Sequence, residues 1–544
     1  MSAGNPLRER VLNGIGLGLL VVCFVAALGR ILWKQFAPSQ AGEKEKVIRF
    51  AHWQLEGGVR EGFDAVAAEY MRRHPGVKVM QIPVPERTFQ NWLVTQLVGG
   101  TAPDLIEMGM GMTDEHRARY FRPVSDIVNS PNPWNKGTSL ENTPLRETFI
   151  DGLESGFSPT LLEYYGLPVS AFSLRMFYNL DLLKEITGAE KLPATYRELV
   201  ALARQTREYS ERTGRDITPV SGSRTYAPII LRRLFGSQTE QLSSRIAYDF
   251  LATGPDSPNA ALLSDGYLDG KWSLENPEIV AGLELMRDLS QYMQPGFLQL
   301  GRDDAAFYFV QGHALMMATG SWDATSITTQ AGFRIGISHI PVPAPGDPMG
   351  PFSLGPISDS GAAAGLVMGL TRQSAHPEIA LDFLRFLASQ PMNQRFSDVS
   401  KWAPSVVGVI PSSQAKIFQP FLDGFLGGVR LDFSGADSKR VVSTAYNRLM
   451  GAAGSTPAFL EAIKPAYSAA LLEDLNRQTL TSRMNAQRTD TTLGALAWMH
   501  GQNPADASVS ARLDLLLQAA ANTDHTAWQT ARARARVQAA QSPK

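Results

Sequence analysis

Cysteine is nearly missing: Cys23 is the only one in 544 residues. Everything after residue 46 therefore has no disulfide and no thiolate chemistry, and must be held together by packed cores. Histidine is scarce as well, at eight. No two stand at the His-x-x-x-His spacing that sets a pair of imidazoles on one helical face for zinc. Neither a Gly-x-Ser-x-Gly elbow nor a Walker A phosphate loop occurs. Charge of one sign is also lacking, since 51 Lys and Arg against 52 Asp and Glu leave a net charge of −1. Nucleic-acid binding needs a basic surplus, so a polyanion is excluded as the main partner. Carboxylate pairs such as Asp303-Asp304 exist, but a glycosidase pair is a matter of spatial separation that sequence does not give. No cofactor and no metal site is expected.

Long hydrophobic runs are absent but for one. Residues Asn13 to Trp33 carry no ionisable group other than Cys23 between Arg10 and Arg30. Preceded by Arg8 and Arg10, this run has the layout of a secretory leader or signal anchor, near the lower length limit for a membrane-spanning helix. Ala27-Leu28-Gly29 offers a small-x-small processing site, yet Arg30 and Ile31-Leu32-Trp33 follow it, which suits an uncleaved anchor better. Val22 stands where a lipidation motif at Cys23 wants a small residue. Arg30 and Lys34 flank the far side, so the positive-inside bias is weak and translocation rests on the leader layout. Residues 1–46 thus read as a cytoplasmic tip, an anchor and a polar spacer, with the main domain in the periplasm or outside the cell.

From residue 47 onward the chain is long enough for two or three domains. Val47–Trp53 reads as a buried strand, Gly57-Gly58 as a turn, and Val59 to Tyr70 as a helix with one apolar face. Val77–Ile82 and Asp104–Met108 continue as strands around a helix from Thr88 to Val98. Strands alternating with helices imply parallel pairing in an α/β sheet. Further strands are expected at Tyr164–Pro168, Met176–Asn179, Phe333–Ile337 and Ala364–Leu370. Helices are expected at Leu180–Thr187, Tyr196–Thr213, Pro277–Tyr292 and Pro377–Ser389. Past Ser438 the signal is almost purely helical. Its end carries Arg532, Arg534, Arg536 and Lys544, a basic patch expected to be a solvated helix end.

Several of these segments carry recognisable motifs. They include Gly99-Gly100-Thr101-Ala102-Pro103-Asp104-Leu105, then Tyr165-Gly166-Leu167-Pro168 with Tyr178-Asn179-Leu180-Asp181-Leu182-Leu183. Gly312-His313-Ala314-Leu315-Met316 with Gly320-Ser321-Trp322 completes the series. In this order, over residues 47–476, the chain resembles the extracellular solute-binding proteins of ABC importers, in the cluster that includes maltose-binding protein. The residues after Asn476 have no counterpart in that pattern. The loop Met108-Gly109-Met110-Gly111-Met112 lacks the aromatic or acidic residue that often contacts sugar there.

The resemblance implies a two-lobe, periplasmic-binding-protein-like α/β fold (type II); the apolar run adds an N-terminal transmembrane helix and the helical signal past Ser438 a helical C-terminal extension, both outside the family pattern. Lobe 1 is expected to comprise 47–163 and 339–399, lobe 2 to comprise 164–338 and 400–476, and the extension 477–544. Tyr165–Pro168 and Phe333–Pro341 are the expected hinges. The resemblance also implies a carbohydrate ligand, an ABC permease as partner, and binding in place of catalysis. Ligands of open α/β sheets sit beyond the carboxyl ends of the strands, and sugars need flat aromatics beside hydrogen-bonding side chains. The candidates on such loops are Trp53, Gln54, Glu56, Met108, Ser170, Phe172, Tyr226, Trp322, Asp323 and Trp402. Six have a structural alternative: the three tryptophans as core residues, Asp323 as a helix cap, Gln54 and Glu56 as solvated side chains. A glycan-acting hydrolase or lyase using cleft carboxylates, and a tethered sensor or scaffold, are the other functional readings. A polyamine or small anion in place of the sugar also stays open.

Overall fold

The computed structural model describes residues 45–109, 112–158, 161–250, 260–359, 364–432 and 434–541. The expected anchor, with Cys23, lies outside the described residues, as does Lys544. Among the described residues no helix is long and apolar enough to cross a membrane.

The chain opens as β1 (Lys46–His52), α1 (Val59–Arg73), β2 (Val77–Pro83), α2 (Glu86–Gly99) and β3 (Leu105–Met108). After a stretch of short helical turns come β4 (Gly166–Ala171), β5 (Leu174–Asn179), α3 (Leu180–Thr187), α4 (Tyr196–Thr213) and β6 (Thr218–Ser221). Helices α5 (Ala227–Phe250), α6 (Ala260–Leu268), α7 (Pro277–Ser290) and α8 (Arg302–Val310) precede β7 (Ala314–Gly320) and β8 (Ile335–Ser338). The last elements are β9 (Ala364–Leu370), α9 (Pro377–Leu387), α10 (Gln390–Ser400), β10 (Ala403–Pro404), α11 (Ala436–Met450), α12 (Thr456–Gln502) and α13 (Ala507–Gln541).

Local sequence accounts for the boundaries. In α4, the Thr195 hydroxyl accepts from the Glu198 amide at 3.2 Å, and Glu198 reaches back to the Thr195 amide. This reciprocal cap satisfies two orphan donors of the first turn. Leu199, Ala203, Thr206 and Tyr209 then recur on one buried face, and Gly214 ends the helix in the left-handed conformation.

The strands form two separate main sheets. The first runs β10-β4-β9-β3-β1-β2 and the second β8-β5-β7-β6. In the first, β1 pairs in parallel with β2 and β3, while β9 is antiparallel to both β3 and β4. Each sheet has its own core, one around Phe50, Phe63, Leu167 and Phe383, the other around Tyr178, Leu199, Leu283 and Met316. Two α/β lobes result, as the resemblance implies.

The crossings between lobes differ from expectation. β4 pairs with β9 and β10, so Gly166–Ala171 belongs to the first lobe and the chain crosses at Phe172-Ser173, not at 163/164. Tyr165–Pro168 is therefore a central strand of one lobe and no hinge. The return crossing starts after Ser338, at the end of the expected Phe333–Pro341 segment. Ala403-Pro404 still pairs with β4, and Val406 and Val409 still pack in the first core, so the last crossing falls beyond the expected 399/400.

All three crossings meet at one buried charge cluster. Arg175, at the start of β5, donates to Asp359 at 2.9 Å and to the carbonyls of Ile417 and Gln419 at 3.1 and 2.7 Å. Arg233 pairs with the other oxygen of Asp359, and the Phe421 amide donates at 3.0 Å to the oxygen that Arg175 holds. Burial works against ionisation of Asp359, but Arg233, the Phe421 amide and Arg175 outweigh it and hold the carboxyl below its ordinary range.

The helical C-terminus exists as expected, in α11 to α13. Its basic end is not simply solvated: Arg532 and Arg536 lie 3.0 and 2.7 Å from Asp269 on the second lobe.

Candidate functional site

A cleft of about 1470 Å³ lies between the lobes. Its first-lobe wall is Trp53 with Leu55 to Gly57, after β1, and Pro85 to Thr88 with Gln90, after β2. Its second-lobe wall is Arg224 to Tyr226, after β6, then Asp323, Thr325, Ser326, Thr329 and Gln330 after β7, and Gly301 to Asp304 with Ala306 and Phe307 at the start of α8. The strand-end loops that line it lie beyond the carboxyl ends of β1, β2, β6 and β7, where ligands sit in open α/β sheets.

Arg302 spans the cleft. On its own lobe it donates to the Asp323 carboxylate and, through Nε, to the Tyr226 hydroxyl at 3.2 Å. Across the gap it donates to Glu86 at 2.6 Å and to Glu56 at 3.3 Å. Asp323 collects two more donors, the Tyr226 hydroxyl at 2.6 Å and the Thr319 hydroxyl at 2.5 Å. Asp323 starts the short helix Ala324–Gln330 without capping it, which sets the capping alternative aside. Among the described residues, one oxygen of Glu56 has no hydrogen-bond partner. Burial pushes the Glu56 carboxyl up, against the pull of Arg302.

The loop carrying Trp53 is fixed from below. Glu107, fully buried in β3, accepts from the Trp53 amide at 3.2 Å and from the Gln54 side chain at 2.5 Å. Among the described residues no cation meets Glu107; burial pushes its carboxyl up to about 8, although Gln54 and the Trp53 amide work the other way. The Trp53 indole packs edge-on to Phe89 at 4.9 Å and lies over Gly109, where a Cβ would come within 2.5 Å of the ring. Glycine at 109 is what gives the indole its seat.

Of the candidates read from sequence, Trp53, Glu56, Tyr226 and Asp323 line the cleft. Gln54 is buried one layer behind, on Glu107. Met108 is core, its side chain filling the space beside Gly166 and Gly369. Ser170 is buried in β4, with its hydroxyl unpartnered among the described residues. Phe172, Trp322 and Trp402 come together elsewhere. Phe172 packs edge-to-face with Trp322 at 5.6 Å and with Trp402 at 5.1 Å, forming an aromatic wedge at the crossing. Trp322 lies against the first-lobe core, and Trp402 is 3% exposed. For these two tryptophans the core alternative describes the structure, because Gly320 lets the indole of Trp322 fold back toward the lobe junction.

Arg302, Glu86 and the exposed Phe307 were not read from sequence. The rule that singled out the loop after β1 applies equally to Pro85-Glu86-Arg87-Thr88 after β2, so Glu86 was within reach. Arg302 opens a helix and had no such signal. Among the described residues no group of three or more His, Cys, Asp or Glu is arranged to hold a metal ion. What the cleft offers is hydrogen-bonding side chains of both signs beside aromatic faces.

Comparison with known proteins gives the same outline. The family described as bacterial extracellular solute-binding protein matches residues 65–417. An uncharacterized ABC transporter extracellular-binding protein of Pyrococcus horikoshii is 21% identical over 499 residues, covering 89% of this chain and 97% of that protein. The GacH receptor of Streptomyces glaucescens, solved unliganded and with acarbose, superposes with a TM-score of 0.55 at 16% identity, over 78% of this chain and 98% of its own. RafE in complex with raffinose gives 0.51 at 17% identity, over 78% and 99%. At such identities the structural likeness establishes the fold alone.

Proposed function

The chain belongs to the bacterial extracellular solute-binding proteins, and from that premise we propose that it captures a carbohydrate between its lobes and delivers it to the permease of an ABC importer. The observation that carries this reading is the makeup of the interlobe cleft. Trp53 from the first lobe and Phe307, 64% exposed, from the second supply apolar faces for sugar C–H groups. Glu56, Glu86, Asp303 and Gln330 supply acceptors and donors for a rim of hydroxyls. Receptors of the same fold were solved with acarbose and raffinose, which supports a saccharide over a polyamine or an anion.

Capture works by population shift. A ligand that touches both walls favours the arrangement in which they face each other, by its difference in affinity for that arrangement and the open one. Lobe 1 is taken as residues 47–171 with 364–410, and lobe 2 as the rest of the two-lobe body. Residues 13–33 tether it to the membrane with the lobes on the outer side. Fractionation tests the tether: the full chain should sediment with membranes and a chain lacking residues 1–37 should not.

The test of the ligand class is a thermal-shift panel of malto-oligosaccharides, raffinose, chitin oligosaccharides, spermidine and phosphate. A saccharide that binds only the folded state raises the melting temperature, by about 2.7 kcal/mol of stabilisation at one hundred times Kd. A shift from spermidine or phosphate with none from any saccharide would overturn the reading.

A further inference from the structure

Helices α12 and α13 form an antiparallel hairpin, with Thr479 and Thr530 hydrogen-bonded across it and the turn at 503–506. Its root is built into the second lobe. Phe459, Ile463, Tyr467 and Leu471 sit in that lobe's core, and Leu475 and Ala533 pack with Leu268. The ion pairs of Arg532 and Arg536 with Asp269 seal the same end. Past this root the helices run on for roughly 35 Å, at about 1.5 Å per residue from Thr479 to Gln502. Leu480 and Met484 mark the departure by becoming exposed.

The tip lands on the other lobe. Leu496, Val509 and Leu516 form a small apolar cluster with Leu162. Beside it Arg512 pairs with Glu163 and lies 3.7 Å from Asp126. This landing is firm ground in the first lobe. The Ser125 hydroxyl donates to Glu163 and the Val124 amide donates to the Tyr164 carbonyl at 2.7 Å. Leu162 is presented with φ at 54°, a left-handed backbone that crowds the Cβ of a leucine against its own carbonyl and is costly for any residue but glycine. The apolar contact with the hairpin is one return on that cost.

Glu163 lies just before β4, and the chain crosses between lobes at the far end of the same strand. The six residues of β4 put about 20 Å between the landing and the crossing, at about 3.3 Å each. Any lobe rotation about the crossing, unless its axis runs along β4, moves Glu163 against the lobe in which the hairpin is rooted. We propose that the α12–α13 hairpin is a strap that couples lobe orientation to the Arg512–Glu163 and Leu162 landing, so that releasing the tip shifts the molecule toward an opened arrangement. The strap and the Arg302 bridge are made in the same lobe arrangement and stabilise it together. This holds for whichever solute the cleft takes.

Interlobe distance in the full chain in detergent micelles is the test. Spin labels go at Lys78 and Glu211, both exposed and on different lobes, in a Cys23→Ser background. Pulsed dipolar spectroscopy then reads the distance distribution without added solute. Arg512→Glu sets like charges at the landing and is expected to move at least a several-fold larger share of the population to a different distance. Leu162→Gly, which removes the apolar contact while relieving the left-handed strain, is expected to act in the same direction. It serves as the second variant if Arg512→Glu melts well below the parent protein. A distribution unchanged in both variants overturns the strap, even if amide exchange between residues 493 and 516 accelerates, because the tip would then be released without consequence for the lobes.

Discussion

The two lobes are joined by the same chemistry in two settings. At the crossings, Arg175 and Arg233 hold Asp359 out of reach of water; at the cleft, Arg302 holds Glu56 and Glu86 at its edge. Asp359 is almost fully buried, whereas Glu86 is well exposed. Taking charges out of water is costly, so a buried guanidinium–carboxylate cluster persists only when fully partnered, and it punishes the loss of any partner. An exposed pair gains little and loses little, and salt screens it. The first kind of contact fixes a joint. The second can be made and broken at every cycle of capture, which is what a cleft requires.

Breaking the buried cluster should have the largest effect. Arg175→Met leaves Asp359 with one guanidinium and strands the carbonyls of Ile417 and Gln419. A loss of about 3–5 kcal/mol is expected in chemical denaturation. A loss below about 1 kcal/mol would show that the crossings are held by something other than this cluster.

Glu107 sharpens the contrast, since it is as buried as Asp359 but faces no cation among the described residues. Its folded pKa of about 8 lies above the ordinary 4.5. The folded state therefore binds the extra proton between those values, and stability should fall as pH rises through that window. His52, buried in the neighbouring strand, is pushed by burial down to about 4 from 6.5. Its contribution is complete above 6.5 and is lost as pH falls through about 4. The two slopes oppose each other between about 4.5 and 6.5, so the net decline should appear between about 6.5 and 8. Glu107→Gln should flatten that decline; a decline of the same steepness in the variant would move the cause elsewhere.

Glu86→Gln, which removes the exposed pair across the cleft and leaves Arg302 on the buried Asp323, should have the smallest effect on stability, about 1 kcal/mol or less. Its expected signature is a wider interlobe distance distribution at low salt that the parent protein approaches in 1 M salt. A cost as large as that of Arg175→Met would erase the distinction between joint and latch.

Much of this architecture was legible in the sequence because local rules determined it. The β1–α1–β2 opening, the capped helix Tyr196–Thr213 and the helical C-terminus all arise from periodicity, turns and caps within a few residues. The first crossing was misplaced because β4 is buried on both faces, and a continuous apolar strand says nothing about which sheet receives it. The latch was missed for a different reason. Arg302 and Glu86 are 216 residues apart, and no periodicity links them. Trp53 and Trp322 show the same limit at one residue type: both lie over a glycine, yet one lines the cleft and the other the lobe junction. The direction in which each indole folds is set by tertiary packing.

Those two tryptophans supply the most direct test of the cleft as the binding site. The measurement is calorimetric titration of the parent protein, Trp53→Ala and Trp322→Ala with the saccharide that raises the melting temperature most. Losing an aromatic face that contacts sugar should weaken binding tenfold or more, about 1.4 kcal/mol, in Trp53→Ala at near-parent stability. Trp322→Ala should melt earlier and bind with an affinity closer to the parent's. Unchanged affinity in Trp53→Ala, with the loss confined to Trp322→Ala in a protein that melts normally, would contradict it and move the site to the aromatic wedge at the crossing.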